Sequence, residues 1–150
     1  MASPKKSATK ANVEATTLYM LASAHHGLRT LIETALKPQA LTPIQYTVLS
    51  VIEHKPGMSS AALARRFYVS PQNMGQVLSG LEQRGLLTRT ENPENRRLLI
   101  VNLTPDGRRE QLAGAAHMRA VERAALNNVP KESIDEFHAT LSILLATLRS

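Results

Sequence analysis

The chain has 150 residues and a formal net charge of +6, with 18 Lys and Arg against 12 Asp and Glu. That length suits one domain with a real core, or one domain carrying a helical appendage. With no Cys, disulfides, thiolate metal sites and a Cys nucleophile are all excluded, and no apolar run approaches the roughly 18 residues of a membrane span, so a cytoplasmic protein without membrane contact is expected.

Residues 1–11 begin MASPKKSATK. They are basic, and no apolar stretch follows them as a secretory signal would require; a disordered basic tail is expected. From about 12 to 36, Leu18, Leu21, Ala22, Leu28, Ile32, Ala35 and Leu36 recur at helical spacing, and Lys37-Pro38 ends that helix. Three later helix starts share one pattern: Thr42-Pro43, Ser70-Pro71 and Thr104-Pro105. In each, a hydroxyl can accept from an orphan backbone N–H, and the Pro occupies the first helical position, where its missing donor is not needed.

The second helix, about 43–54, carries Ile44, Val48, Leu49 and Ile52. HKPGMS reads as a turn, with Ser59 or Ser60 capping a short third helix that runs to Phe67. A brief turn leads to the fourth helix, which stops at Gly85. The period then changes. Leu86–Thr90 and Leu98–Leu103 read as two strands around the polar tip ENPEN, a β-hairpin. A long helix follows Thr104, and a last one spans about 131–148. The fold class is mainly α with a small β-hairpin wing, built as a winged helix-turn-helix module plus a helical dimerisation region.

Charge is concentrated in the middle of the chain. Between Lys55 and Leu103 lie Lys55, Arg65, Arg66, Arg84, Arg89, Arg96 and Arg97, opposed only by Glu82, Glu91 and Glu94. On a 3.6-residue helix, Met74, Val77, Leu78 and Leu81 share one face, the candidate core face. The opposite face presents Gln72, Asn73, Gln76, Ser79 and Gly80. Amides offer both donor and acceptor and can pair with adenine edges in a major groove. A solvated helix face would look the same in isolation. The order short helix, turn, amide-faced helix, basic hairpin favours the second helix of a DNA-reading helix-turn-helix. Ser70, Pro71, Gln72, Asn73 and Gln76 are the candidate groove residues. Arg65, Arg66, Arg84 and Arg89 are candidates for phosphates, and Arg96 and Arg97, at the hairpin tip, for a minor groove. Gly75 and Gly80 each cost about 1 kcal/mol relative to Ala inside a helix, which close approach to DNA or to a neighbouring helix would explain.

The run from Leu41 to Arg108 resembles the MarR family of bacterial transcription regulators. The resemblance rests on Leu41-Thr42, Gln45, Leu63-Ala64-Arg65-Arg66, Val69-Ser70-Pro71, Leu81-Glu82, Arg84-Gly85-Leu86, Arg97, Val101, Leu103-Thr104 and Gly107-Arg108, in that order. Asn95 stands where the family's wing has an aspartate. The resemblance implies a homodimer in which residues 12–37 and 105–150 interlock with the partner's. Residues 38–104 then read half of a pseudo-palindromic operator in double-stranded DNA, and a repressor is the expected outcome. The apolar seam of Ile134, Phe137, Leu141, Leu144, Leu145 and Leu148 supports a dimer independently, because a module of this size cannot cover it.

Family members commonly respond to small phenolic or aromatic anions bound between the dimerisation helices and the DNA-binding module. On that resemblance His25, His26, Arg29 and Tyr46 are the candidate ligand residues; ordinary surface or interface roles for them are the competing reading. No cofactor or metal is expected: His25 and His26 are adjacent, and His54, His117 and His138 lack partners at ligand spacing. With no catalytic motif, a non-enzyme is expected. The competing function is a winged-helix module that grips a protein rather than DNA.

Overall fold

The structure is a computed structural model and describes residues 16–148. The expected basic tail lies outside the described residues, as do the first residues of the expected opening helix. Helix α1 spans Thr17–Ala35, capped by Thr16, whose hydroxyl accepts from the Tyr19 N–H. A 3₁₀ turn, Lys37–Gln39, ends on Ala40 in the left-handed region with φ 50°. Then follow α2 (Pro43–His54), β1 (Met58–Ser59), α3 (Ser60–Arg66), α4 (Pro71–Gln83), β2 (Leu87–Asn92), β3 (Asn95–Leu103), α5 (Pro105–Leu126) and α6 (Lys131–Thr147).

The three hydroxyl-proline starts form as read. Thr42, Ser70 and Thr104 accept from the N–H groups of Gln45, Asn73 and Gly107 at 3.3, 3.1 and 3.0 Å. At Thr42 the Gln45 side chain returns the bond to the Thr42 N–H, completing a capping box. Ser59, rather than Ser60, caps α3.

The stretch read as a plain turn departs from expectation. Met58 and Ser59 pair antiparallel with Val101 and Ile100, so the hairpin is part of a three-stranded sheet of order β1-β3-β2. Two residues leave no periodic trace, and their partner lies some forty positions away.

All the buried apolar side chains among the described residues fall between Leu36 and Leu103. Val48, Leu49 and Ile52 of α2 meet Leu63 of α3, Met74, Leu78 and Leu81 of α4, and Leu87, Val101 and Leu103 of the sheet. Helices α1 and α6 bury no residue within their spans. Helix α5 buries only Gly107, Gln111 and Gly114. A Cβ on Gly107 would stand 1.8 Å from the Leu86 carbonyl oxygen, and one on Gly114 2.7 Å from the Tyr46 ring, so only Gly lets α5 approach this closely. Gln111 Nε2 donates to Ser50 Oγ at 3.1 Å, tying α5 to α2.

Candidate nucleic-acid interface

Helices α3 and α4 are joined by a tight turn. Phe67 closes α3, Tyr68 follows with φ 53°, and the Val69 N–H donates back to the Ala64 carbonyl. Buried Leu63 and Ala64 of α3 and Met74, Leu78 and Leu81 of α4 hold the pair together. The opposite side of α4 stays accessible. Gln72, Asn73 and Gln76 are exposed, all in its first two turns.

The outer face is narrower than its sequence suggests. Ser79 is half-buried and its hydroxyl accepts from Arg89 Nη2 at 2.8 Å. A Cβ on Gly80 would face Gln45 Nε2 at 3.7 Å, whereas one on Gly75 would meet open space. Helix proximity therefore does not account for Gly75. Ser70 is exposed but its hydroxyl is engaged as the α4 cap, and Pro71 begins the helix.

The arginines divide into two groups. Arg84 donates from Nη1 to the Ala40 carbonyl and from Nη2 to the Gln39 carbonyl, both at 2.8 Å. Arg89 is turned inward: besides Ser79, its Nε lies 3.2 Å from the Glu82 carboxylate. Both guanidiniums, expected at phosphates, are thus engaged by groups of the fold itself, Arg84 at the exposed surface and Arg89 half-buried. Arg65, Arg66, Arg96 and Arg97 are exposed, and none has an ion-pair partner among the described residues. Near Arg66, His54 and Lys55 with Ser50 and Val51 line a shallow basic concavity of about 250 Å³. Charge counting includes Lys55 but does not place it beside Arg66; the end of α2 does.

The wing tip is organised by asparagines. Asn92 Oδ1 accepts from the Glu94 N–H at 2.8 Å, and Asn95 Oδ1 from the Arg97 N–H at 3.2 Å. Asn95 thus bonds the backbone at Arg97 and leaves the guanidinium unpaired. An aspartate there would bring an anion to it.

Helices α1 and α2 flank an open cleft of about 780 Å³. His25, Leu28, Arg29, Ile32 and Glu33 line it from α1, and Leu41, Thr42, Pro43, Ile44 and Thr47 line it from the start of α2. Of the candidate ligand residues, His25 and Arg29 line the cleft. Arg29 is paired with Glu33 at 2.8 Å, an i,i+4 pair that the spacing could have revealed. His26 is turned about 100° round the helix from His25. Tyr46 packs its ring against Gly114 of α5 and beside the core; the gap left by a glycine uses it as an apolar group.

A three-stranded sheet beside a helix-turn-helix, a cationic hairpin and an amide-faced second helix define a winged helix-turn-helix protein of the DNA-reading class. The sequence model of the MarR family matches residues 41–98. The HTH-type transcriptional repressor Rv2887 of Mycobacterium tuberculosis is 33% identical over 126 residues, which cover 84% of this chain and 91% of that protein. The crystal structure of the Rv2887 complex with salicylic acid superposes with a TM-score of 0.72 at 32% identity, covering 88% of this chain and 98% of that one. CouR from Rhodococcus jostii RHA1, bound to p-coumaroyl-CoA, has a TM-score of 0.78 at 24% identity over 84% of this chain and 89% of that one, a likeness of fold. The chain belongs to the MarR family, and it is a DNA-binding transcriptional regulator.

Proposed function

We propose that this regulator is a homodimeric repressor that reads a pseudo-palindromic operator and is released by a small aromatic carboxylate. The observation that carries the reading is the exposed triplet Gln72, Asn73 and Gln76 on the first two turns of α4. Amides at the N-terminal end of a recognition helix suit base edges. Arg65, Arg66, Arg96 and Arg97, free of acidic partners among the described residues, take the phosphates and the minor groove. Arg84 and Arg89 are assigned to positioning α4 and the wing instead.

Residues 38–104 form the reading module in this proposal; 12–37 and 105–150 form the dimer. Support comes from the large apolar side chains exposed on α1 and α6, including Leu18, Leu31, Phe137, Ile143 and Leu148. The effector is placed in the α1/α2 cleft, where Arg29, held by Glu33, supplies a guanidinium, His25 a ring nitrogen for hydrogen bonding, and Leu28, Ile32 and Ile44 apolar walls. That Rv2887 forms a complex with salicylic acid supports salicylate as the first compound to try. No catalytic activity is assigned, the relatives being regulators. No helix among the described residues is long and apolar enough to cross a membrane, and a cytoplasmic site of action is part of the proposal.

Alanine at Gln72, Asn73 or Gln76 is expected to cost about 1–3 kcal/mol on the specific operator and little on mixed-sequence DNA. Arg65→Ala should weaken both alike and lower the salt slope by about one counterion. Fluorescence anisotropy over a salt series checks this. The reverse pattern would exchange the two roles, and indifference to salt with no sequence preference would favour a protein-gripping module.

A further inference from the structure

Reading bases uses the N-terminal half of α4; its other end is held by a contact of a different kind. Arg84, the residue that closes α4, bonds the adjacent carbonyls of Gln39 and Ala40, 45 and 44 positions earlier in the chain. Ala40 is in the left-handed region, with φ 50° and ψ 38°, a state a non-Gly residue keeps only when its surroundings over-determine it. This bend also joins the two walls of the cleft: the chain before it is α1 and the chain after it is α2. Leu41, which follows Ala40, is both a lining residue and a core residue. A second contact runs alongside. Gln45, whose side chain closes the capping box with cleft-lining Thr42, sits against Gly80 of α4.

We propose that Arg84 is a positioning residue that couples occupancy of the α1/α2 cleft to the placement of the recognition helix. The inference rests on the effector reading above. A guanidinium holding two successive carbonyls follows both the position and the rotation of the bend, because its donors are fixed in one plane; a lysine ammonium is a single point and follows position alone. A ligand that changes the separation of the two walls moves the bend, and Arg84 carries that movement to the end of α4. Linkage then requires that DNA and ligand each weaken the other's binding by the same factor.

The test uses the full chain, an operator duplex selected from random DNA, and sodium salicylate. Operator affinity is measured with and without saturating salicylate, salicylate affinity is measured without DNA by calorimetry, and folding is followed by thermal melting. The wild-type protein should lose operator affinity about tenfold on binding salicylate, within the usual range of allosteric coupling. Arg84→Ala should bind salicylate within about threefold of the wild type, yet lose less than about twofold of its operator affinity to it. Arg84→Lys should fall between, and it decides the matter if the alanine variant does not fold. A folded, salicylate-binding variant that keeps the wild-type factor overturns the coupling role alone. A wild-type protein that ignores salicylate overturns the effector reading, and the coupling with it.

Discussion

Gly107 stands where the start of α5 lies against the end of α4. A methyl group there would sit 1.8 Å from the Leu86 carbonyl oxygen, and that oxygen is backbone, already accepting from the Thr104 N–H at 3.2 Å. Nothing at the contact can rotate aside. Gly107→Ala should therefore destabilise the protein by about 3 kcal/mol or more, towards the upper end for overpacking. Chemical denaturation at fixed protein concentration measures it, and a cost below 1 kcal/mol would show that α5 is free to shift. The resemblance marks Gly107 in the sequence, but its reason is invisible there, because the obstructing atom belongs to a carbonyl twenty-one positions earlier. Arg84 illustrates the same blindness. Charge patterning groups it with Arg65 and Arg66, whereas its acceptors are two main-chain oxygens that carry no side-chain pattern. Tyr46 reads as polar by type and serves as an apolar filler against Gly114.

At the level of elements, locally specified features were legible. The Thr-Pro and Ser-Pro starts and the core face of α4 need only neighbours within a few residues, and each forms where expected; the hairpin forms too, but its strands run through most of the expected ENPEN tip, to Asn92 and from Asn95. Strand β1 was not legible, since two residues become a strand only by pairing with β3. For α4 the outer face was legible in its first two turns and misread at Ser79 and Gly80, which are drawn towards the wing and α2. Gly75 remains a helical glycine facing open space. Replacing it by Ala should stabilise the free protein by about 0.5–1 kcal/mol through helix propensity. The same variant should bind the operator more weakly, as a methyl group on this face would hold α4 away from the groove. Melting temperature and operator affinity, measured together, check both halves; tighter or unchanged DNA binding would remove close approach as the reason for Gly75.

On the scale of the whole molecule, α1 and α6 bury nothing within their spans and leave large apolar side chains exposed among the described residues. Leu18 is 74% exposed, Ile143 70% and Leu148 63%. Burying each such side chain yields about 1.5–3 kcal/mol, and a two-fold interface counts each of them twice. Phe137→Glu, placing a charge among these groups, should convert the assembly to a monomer by analytical ultracentrifugation and reduce operator affinity by at least about 100-fold, as the second half-site is lost. An unchanged mass would remove α6 from the interface.

Thr104 has a mechanical consequence. Its hydroxyl donates to the Gly85 carbonyl at 2.6 Å and accepts from the Gly107 N–H at 3.0 Å, so one oxygen fastens the exit of α4, the end of the wing and the first turn of α5. Torque applied to α5 by a partner chain would therefore act on the exit of α4 and on the base of the wing together.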